Sequence, residues 1–104
     1  MPNFLLAYHG GSMPETPAVQ EAAMTAWNGW FGGLGAAVID GGNPVSQVKT
    51  VAANGAVSEV GANPISGYSV LAADNLDAAL KMAQGCPVLQ GGGSIQVCET
   101  FNAM

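Results

Sequence analysis

One histidine, seven carboxylates, two lysines and two cysteines supply nearly all the reactive chemistry of this 104-residue chain. His9 has the widest reach, because imidazole titrates near neutral pH and serves as acid or base. It closes a short apolar run, Asn3 to His9, and is followed by Gly10-Gly11. Asp40 stands in a similar place, at the end of Ala36 to Asp40 and before Gly41-Gly42. If both run-ends open on one cavity, Asp40 orients His9 for proton transfer to a small neutral metabolite. If they do not, His9 is a hydrogen-bonded strand-end residue and Asp40 caps a turn. Asn43, Asn63, Ser66 and Tyr68 fall in loops and at a strand start, where they would offer neutral polar contacts to a ligand. Asn-Pro steps of this kind also make ordinary turns.

Several chemistries are excluded by residue type. One histidine and two distant cysteines do not make a zinc set, and no EF-hand-like loop gathers the scattered carboxylates. The glycine-rich stretches match neither Gly-x-Gly-x-x-Gly nor the P-loop with its Lys-Ser/Thr. Gly91 to Gly93 precede a strand rather than a helix, so no helix N-terminus awaits a phosphate there. No cofactor and no metal are therefore expected. Cys86 and Cys98 lack a visible base, and they fit a reduced cytoplasmic protein better than a disulfide framework.

The net charge is -5, with Lys49 and Lys81 as the cations and no arginine. Nucleic-acid binding needs clustered Lys/Arg to neutralise phosphates, and none exist here. Anionic membrane surfaces are disfavoured for the same reason. No run approaches the ~18 apolar residues of a spanning helix, and the N-terminal apolar run has no basic leader, so no signal peptide is expected. Charged residues make up only 9% of the chain and hydrophobic ones 49%. Depletion of charge marks the core of a protein interface, so part of the surface is expected to be covered by a second subunit, as a homodimer.

The elements that must position these residues fit one domain. Asn3 to His9 reads as a buried strand, apolar on both faces. Thr16 suits an N-cap and Pro17 the first helical position. Val19, Ala23, Trp27, Trp30, Phe31 and Leu34 then keep helical spacing, and Gly35 ends a helix over 17–34. The tryptophans are expected in a core or interface. Ala36 to Asp40, Gln47 to Ala53, Ala56 to Val60 and Gly67 to Ala72 are strand candidates, with Asn54-Gly55 as a two-residue hairpin signal. Asn75 caps a second helix, with Asp77 in its first turn. Asp77 and Lys81 are spaced to pair on its outer side. Gly85 then stands at C′ and Pro87 blocks continuation. The last strand runs from Ser94 to about Thr100. The expected class is α+β, in the ferredoxin-like order β-α-β-β-β-α-β, with both helices on one sheet face.

From Gly67 onward the chain reads Gly-Tyr-Ser-Val-Leu-Ala-Ala-Asp-Asn-Leu-Asp-Ala-Ala-Leu, then Gly-Cys-Pro, then Gly-Gly-Ser-Ile-Gln-Val. This resembles the YCII-related family and its DGPF-like branch. Tyr-His-Gly-Gly after the first strand, and a helix bearing Trp27 and Trp30, are compatible with the same family. The resemblance implies a dimeric α/β barrel, in which two ferredoxin-like subunits pack sheet on sheet and enclose pockets. The Asp-Gly-Pro-Phe signature is absent, and Glu59 to Pro64 stand in its place. The first helix also lacks the histidine that some members carry there; Gln20 and Glu21 lie near that position. The family pattern therefore nominates no catalytic residue here. Three functions remain: a small-molecule enzyme using proton transfer in a barrel pocket, a non-catalytic ligand-binding or accessory module, or a purely structural oligomer that needs no pocket.

Overall fold

The computed structural model describes residues 2–11, 16–59 and 64–102. Strands β1 (Asn3–His9), β2 (Val38–Asp40), β3 (Lys49–Val51), β4 (Val57–Glu59), β5 (Ile65–Ala72) and β6 (Ser94–Glu99) flank helices α1 (Pro17–Leu34) and α2 (Leu76–Ala83). Four strands, rather than three, lie between the helices, because both arms of the hairpin pair as strands.

Local signals set the helix ends. The Thr16 hydroxyl accepts from the Val19 amide at 3.2 Å, and Pro17 opens α1. The Asn75 side chain accepts from the Ala78 amide at 2.8 Å and starts α2. Gly85 follows α2 but keeps ordinary negative φ. A Cβ there would sit 3.4 Å from the Trp30 ring, an ordinary contact. Pro87 does not simply break the chain, since Pro87–Gly91 winds into a short 3-10 turn. At the hairpin, Gly55 donates to the Ala52 carbonyl and takes φ +88°, while Asn54 stays at negative φ. The loop is thus three residues ending in a left-handed glycine, not the two-residue type that Asn-Gly favours. Asp77 and Lys81 form no ion pair; Lys49 and Glu59, across the hairpin, do.

The main sheet is antiparallel with strand order β2-β5-β1-β6. Each helix connects two strands that are separated by a third, an arrangement compatible with the ferredoxin-like class. The hairpin β3–β4 forms its own two-stranded sheet.

Strand pairing sorts the faces, because residues opposite each other point the same way. Phe4, Leu6 and Tyr8 share a face with Leu71, Ser69, Val97 and Ile95. On that face they form the core with Ala79 and Ala83 of α2, and Trp27, Trp30 and Leu34 of α1 pack against it. Leu5, Ala7 and His9 share the other face with Val70, Tyr68, Cys98 and Gln96. Among the described residues no helix covers that second face. The molecule is accordingly flat, 43 × 40 × 18 Å, with a radius of gyration of 15.0 Å, against about 13 Å for a compact domain near this length.

Candidate functional site

Helix α1 is held to the sheet at one end. Trp27, Trp30 and Phe31 lie within 5.1–5.7 Å of one another, and Trp27 meets Tyr8 edge-on at 5.3 Å. Trp30 is fixed further by donating its indole N–H to the Met82 carbonyl at 3.0 Å. Toward its N-terminus α1 stands away from the sheet, and none of its residues is fully buried. The gap is an open cleft of about 990 Å³. Its walls are the inner side of α1, the exit of β1 at Gly10-Gly11, the loop 41–44, the start of β5 and the turn after α2.

Three of the expected ligand contacts belong to this cleft. Asn43, Ser66 and Tyr68 all line it. The Tyr68 amide donates to the Asn43 carbonyl at 3.3 Å, so loop and strand are stitched together there. Gly42 makes that approach possible: it has φ +75°, and a Cβ on it would fall 1.7 Å from the Tyr68 carbonyl oxygen. Asn63 lies outside the described residues.

His9 and Asp40 do not meet. His9 is level with Ile65 and Asp40 with Val70, so five positions of β5, roughly 17 Å at ~3.4 Å each, separate them along the strand. They are also two strands apart in the sheet. The His9 ring shares a 2.9 Å hydrogen bond with Gln96, and Asp40 accepts from the Gly42 amide at 2.8 Å. Neither residue lines the cleft. The condition for an Asp40-oriented His9 is therefore not met. Equivalent places in sequence, each before Gly-Gly, turn out to be different heights in the sheet.

A buried polar chain lies beneath the cleft, and its middle member, Ser69, carries no signal in the sequence. The Tyr8 hydroxyl donates to Ser69 Oγ at 2.8 Å, and Ser69 donates to the Gly41 carbonyl at 2.7 Å. Ser69 is fully buried, and no buried side-chain polar atom among the described residues lacks a partner. Burial pushes the Tyr8 phenol well above its ordinary value, against the opposing effect of Ser69, and the nearby Cys86 adds to the rise. Burial likewise raises the Cys86 thiol. Tyr8 is therefore a hydrogen-bond donor rather than a base, and Cys86 a packed thiol rather than a nucleophile. The alternation of Tyr8 with Leu6 and Phe4 marks it as inward, but only the pairing to β5 reveals Ser69 as its partner.

Trp27, Phe31, Gln20, Asn28 and Gln90 also line the cleft. Among the described lining residues there is no aspartate, glutamate, lysine, arginine or histidine. No family model, curated protein or solved structure matches the chain.

Proposed function

We propose that this protein is a small-ligand-binding module rather than an acid–base enzyme. The observation that carries this reading is the cleft under α1. It is large enough for a metabolite, is walled by aromatic and aliphatic groups with a few neutral polar side chains, and among the described residues has no acid–base pair aimed into it. Ligand sites are typically apolar concavities of ~300–1,000 Å³ with a small number of placed polar groups. Proton transfer needs a titratable group within ~3 Å of the reacting atom, and His9 with Asp40 does not supply one.

The working unit in this reading is a homodimer, paired through the bare sheet face as in a dimeric α/β barrel. Support comes from the half-buried apolar residues Leu5, Val70 and Ala72 on or beside that face, and from the flat shape of the single chain. Both cysteines are free, which suits a reducing cytoplasm. Among the described residues no helix is long and apolar enough to cross a membrane.

A thermal-shift screen against neutral metabolites tests the reading. A ligand at 100 times its Kd adds about 2.7 kcal/mol to the native state. For a domain near this length each ~1 kcal/mol moves Tm by about 4–8 °C. The stabilisation should be equal in wild type and His9→Ala. Turnover of any hit that His9→Ala abolishes, with the fold intact, would sink the proposal in favour of the enzyme.

A further inference from the structure

We infer that the ligand of this cleft is an uncharged, ring-bearing molecule with an amide- or hydroxyl-like polar edge. The inference rests on the binding reading above and adds the chemical class of the ligand. Trp27 carries it. Its ring is braced edge-on by Tyr8 at 71° and lies tilted at 39° to Phe31, 5.7 Å away. Yet Trp27 is only half-buried, and both it and Phe31 open on the cleft. A preset pair of rings with free area offers a flat ligand ring the offset or edge contacts that aromatics favour.

The polar groups point to a neutral ligand. Gln20 and Asn28 come from α1, and Asn43 and Ser66 from the opposite wall. None of these four side chains makes a hydrogen bond within the described residues. Carboxamides and a hydroxyl both give and accept hydrogen bonds, so they match an amide, lactam or hydroxyl edge. An anion would find no cation among the described lining residues, and the chain carries a net charge of -5. A cation would find no lining carboxylate among the described residues, and Asp40, the nearest in sequence to the lining loop, already accepts from Gly42. A buried charge without a partner is costly.

The two indole N–H groups make the test site-specific. In nitrogen-15-labelled protein, Trp27 reports on the cleft, while Trp30 is tied to Met82 and does not line it. The probes are a naphthalene carboxamide, the matching naphthalene carboxylate and octanamide. The carboxamide should shift the Trp27 indole and the Asn43 side-chain amide saturably and move Trp30 little. The carboxylate and octanamide should each bind at least roughly ten-fold more weakly. Trp27→Leu should weaken the carboxamide by a similar factor, and Phe31→Leu serves if Trp27→Leu does not fold. Equal binding of the carboxylate overturns the neutral class, and equal binding of octanamide overturns the ring; both outcomes leave a binding cleft standing. No saturable shift at cleft residues with any probe overturns the class and the binding reading together.

Discussion

Replacing Ser69 with alanine should cost more stability than any conservative change on the same sheet face, and the reason is what the hydroxyl leaves behind. Ser69 Oγ accepts from Tyr8 at 2.8 Å and donates to the Gly41 carbonyl at 2.7 Å. Ser69→Ala strands the Tyr8 hydroxyl on a residue that is 5% exposed. A buried group left unpaired costs about 1–3 kcal/mol. Loss of the link to Gly41, whose residue is exposed and open to water, adds about 0.5–1.5 kcal/mol. The expected total is about 1.5–4.5 kcal/mol. Tyr8→Phe removes the donor itself and strands nothing, since Ser69 keeps its bond to Gly41; its cost should be about 1 kcal/mol. The double variant Tyr8→Phe/Ser69→Ala should then be less destabilised than the sum, because phenylalanine has no hydroxyl to strand. Urea unfolding at fixed protein concentration reads all four proteins, with unchanged m-values confirming that the midpoints report stability. If Ser69→Ala costs less than Tyr8→Phe, or if the two simply add, the buried chain is not what ties β1 to the loop after β2.

Four further perturbations bear on the fold and its assembly. Gly42→Ala should lose more than about 2 kcal/mol, since the left-handed backbone alone costs an alanine about 1–2 kcal/mol and the new methyl would strike the Tyr68 carbonyl. Gly29→Ala meets nothing within 4 Å in the middle of α1 and should gain about 0.5–1 kcal/mol; matching urea midpoints for the two variants would refute both assignments. The raised Tyr8 and Cys86 groups predict an alkaline loss of stability. Each holds its proton better folded than unfolded, so stability is full below the unfolded pKa and falls as pH climbs past about 8.5 for the thiol and about 10 for the phenol. Tyr8→Phe should remove the later part of that fall, and an unaltered profile in urea titrations up to about pH 11 would show that burial does not hold the proton. Light scattering should give a dimer for wild type and a monomer for Leu5→Asp or Val70→Asp on the bare sheet face; a wild-type monomer at working concentrations would rule out the sheet-to-sheet pairing.

Legibility in the sequence followed the range of each signal. The helix α1 is expected over 17–34 and runs Pro17–Leu34, because Thr16, Pro17 and Gly35 act within a turn of themselves. Strand limits drifted more. β5 begins at Ile65 rather than Gly67 because its partner β1 is long enough to pair with it that far, whereas β2 begins at Val38 because Gly35–Ala37 winds into a 3-10 turn. Asn43, Ser66 and Tyr68 line the cleft because the loop 41–44 and the start of β5 are stitched together there. His9 and Asp40 were misleading because whether two strand ends meet depends on register and strand order, which arise from pairing between distant segments. Trp27 and Phe31 show the same limit. Helical spacing says that they face inward, but not that the inward side holds empty space as well as core.

That space has a physical origin in where the large side chains fall along α1. Trp27, Trp30, Phe31 and Leu34 crowd its C-terminal half, where the rings meet edge-on or tilted and Trp27 reaches Tyr8 of β1. The N-terminal half lines the cleft with Val19, Gln20, Ala22, Ala23 and Met24, and Val19 and Met24 remain 52% and 65% exposed. With no buried residue in that half, α1 fills none of the space beside it. The opposite wall includes Gly10, Gly11, Gly41, Gly42, Gly67 and Gly91, which add no side chains to the gap. A cleft made this way has shape and neutral hydrogen-bonding groups but little titratable chemistry: of its described lining residues only Tyr8 and Tyr68 carry a side chain that ionises. Burial keeps the proton on Tyr8, and its hydroxyl is committed to Ser69. Recognition of a neutral ring, by contrast, can draw on several of the cleft's side chains at once.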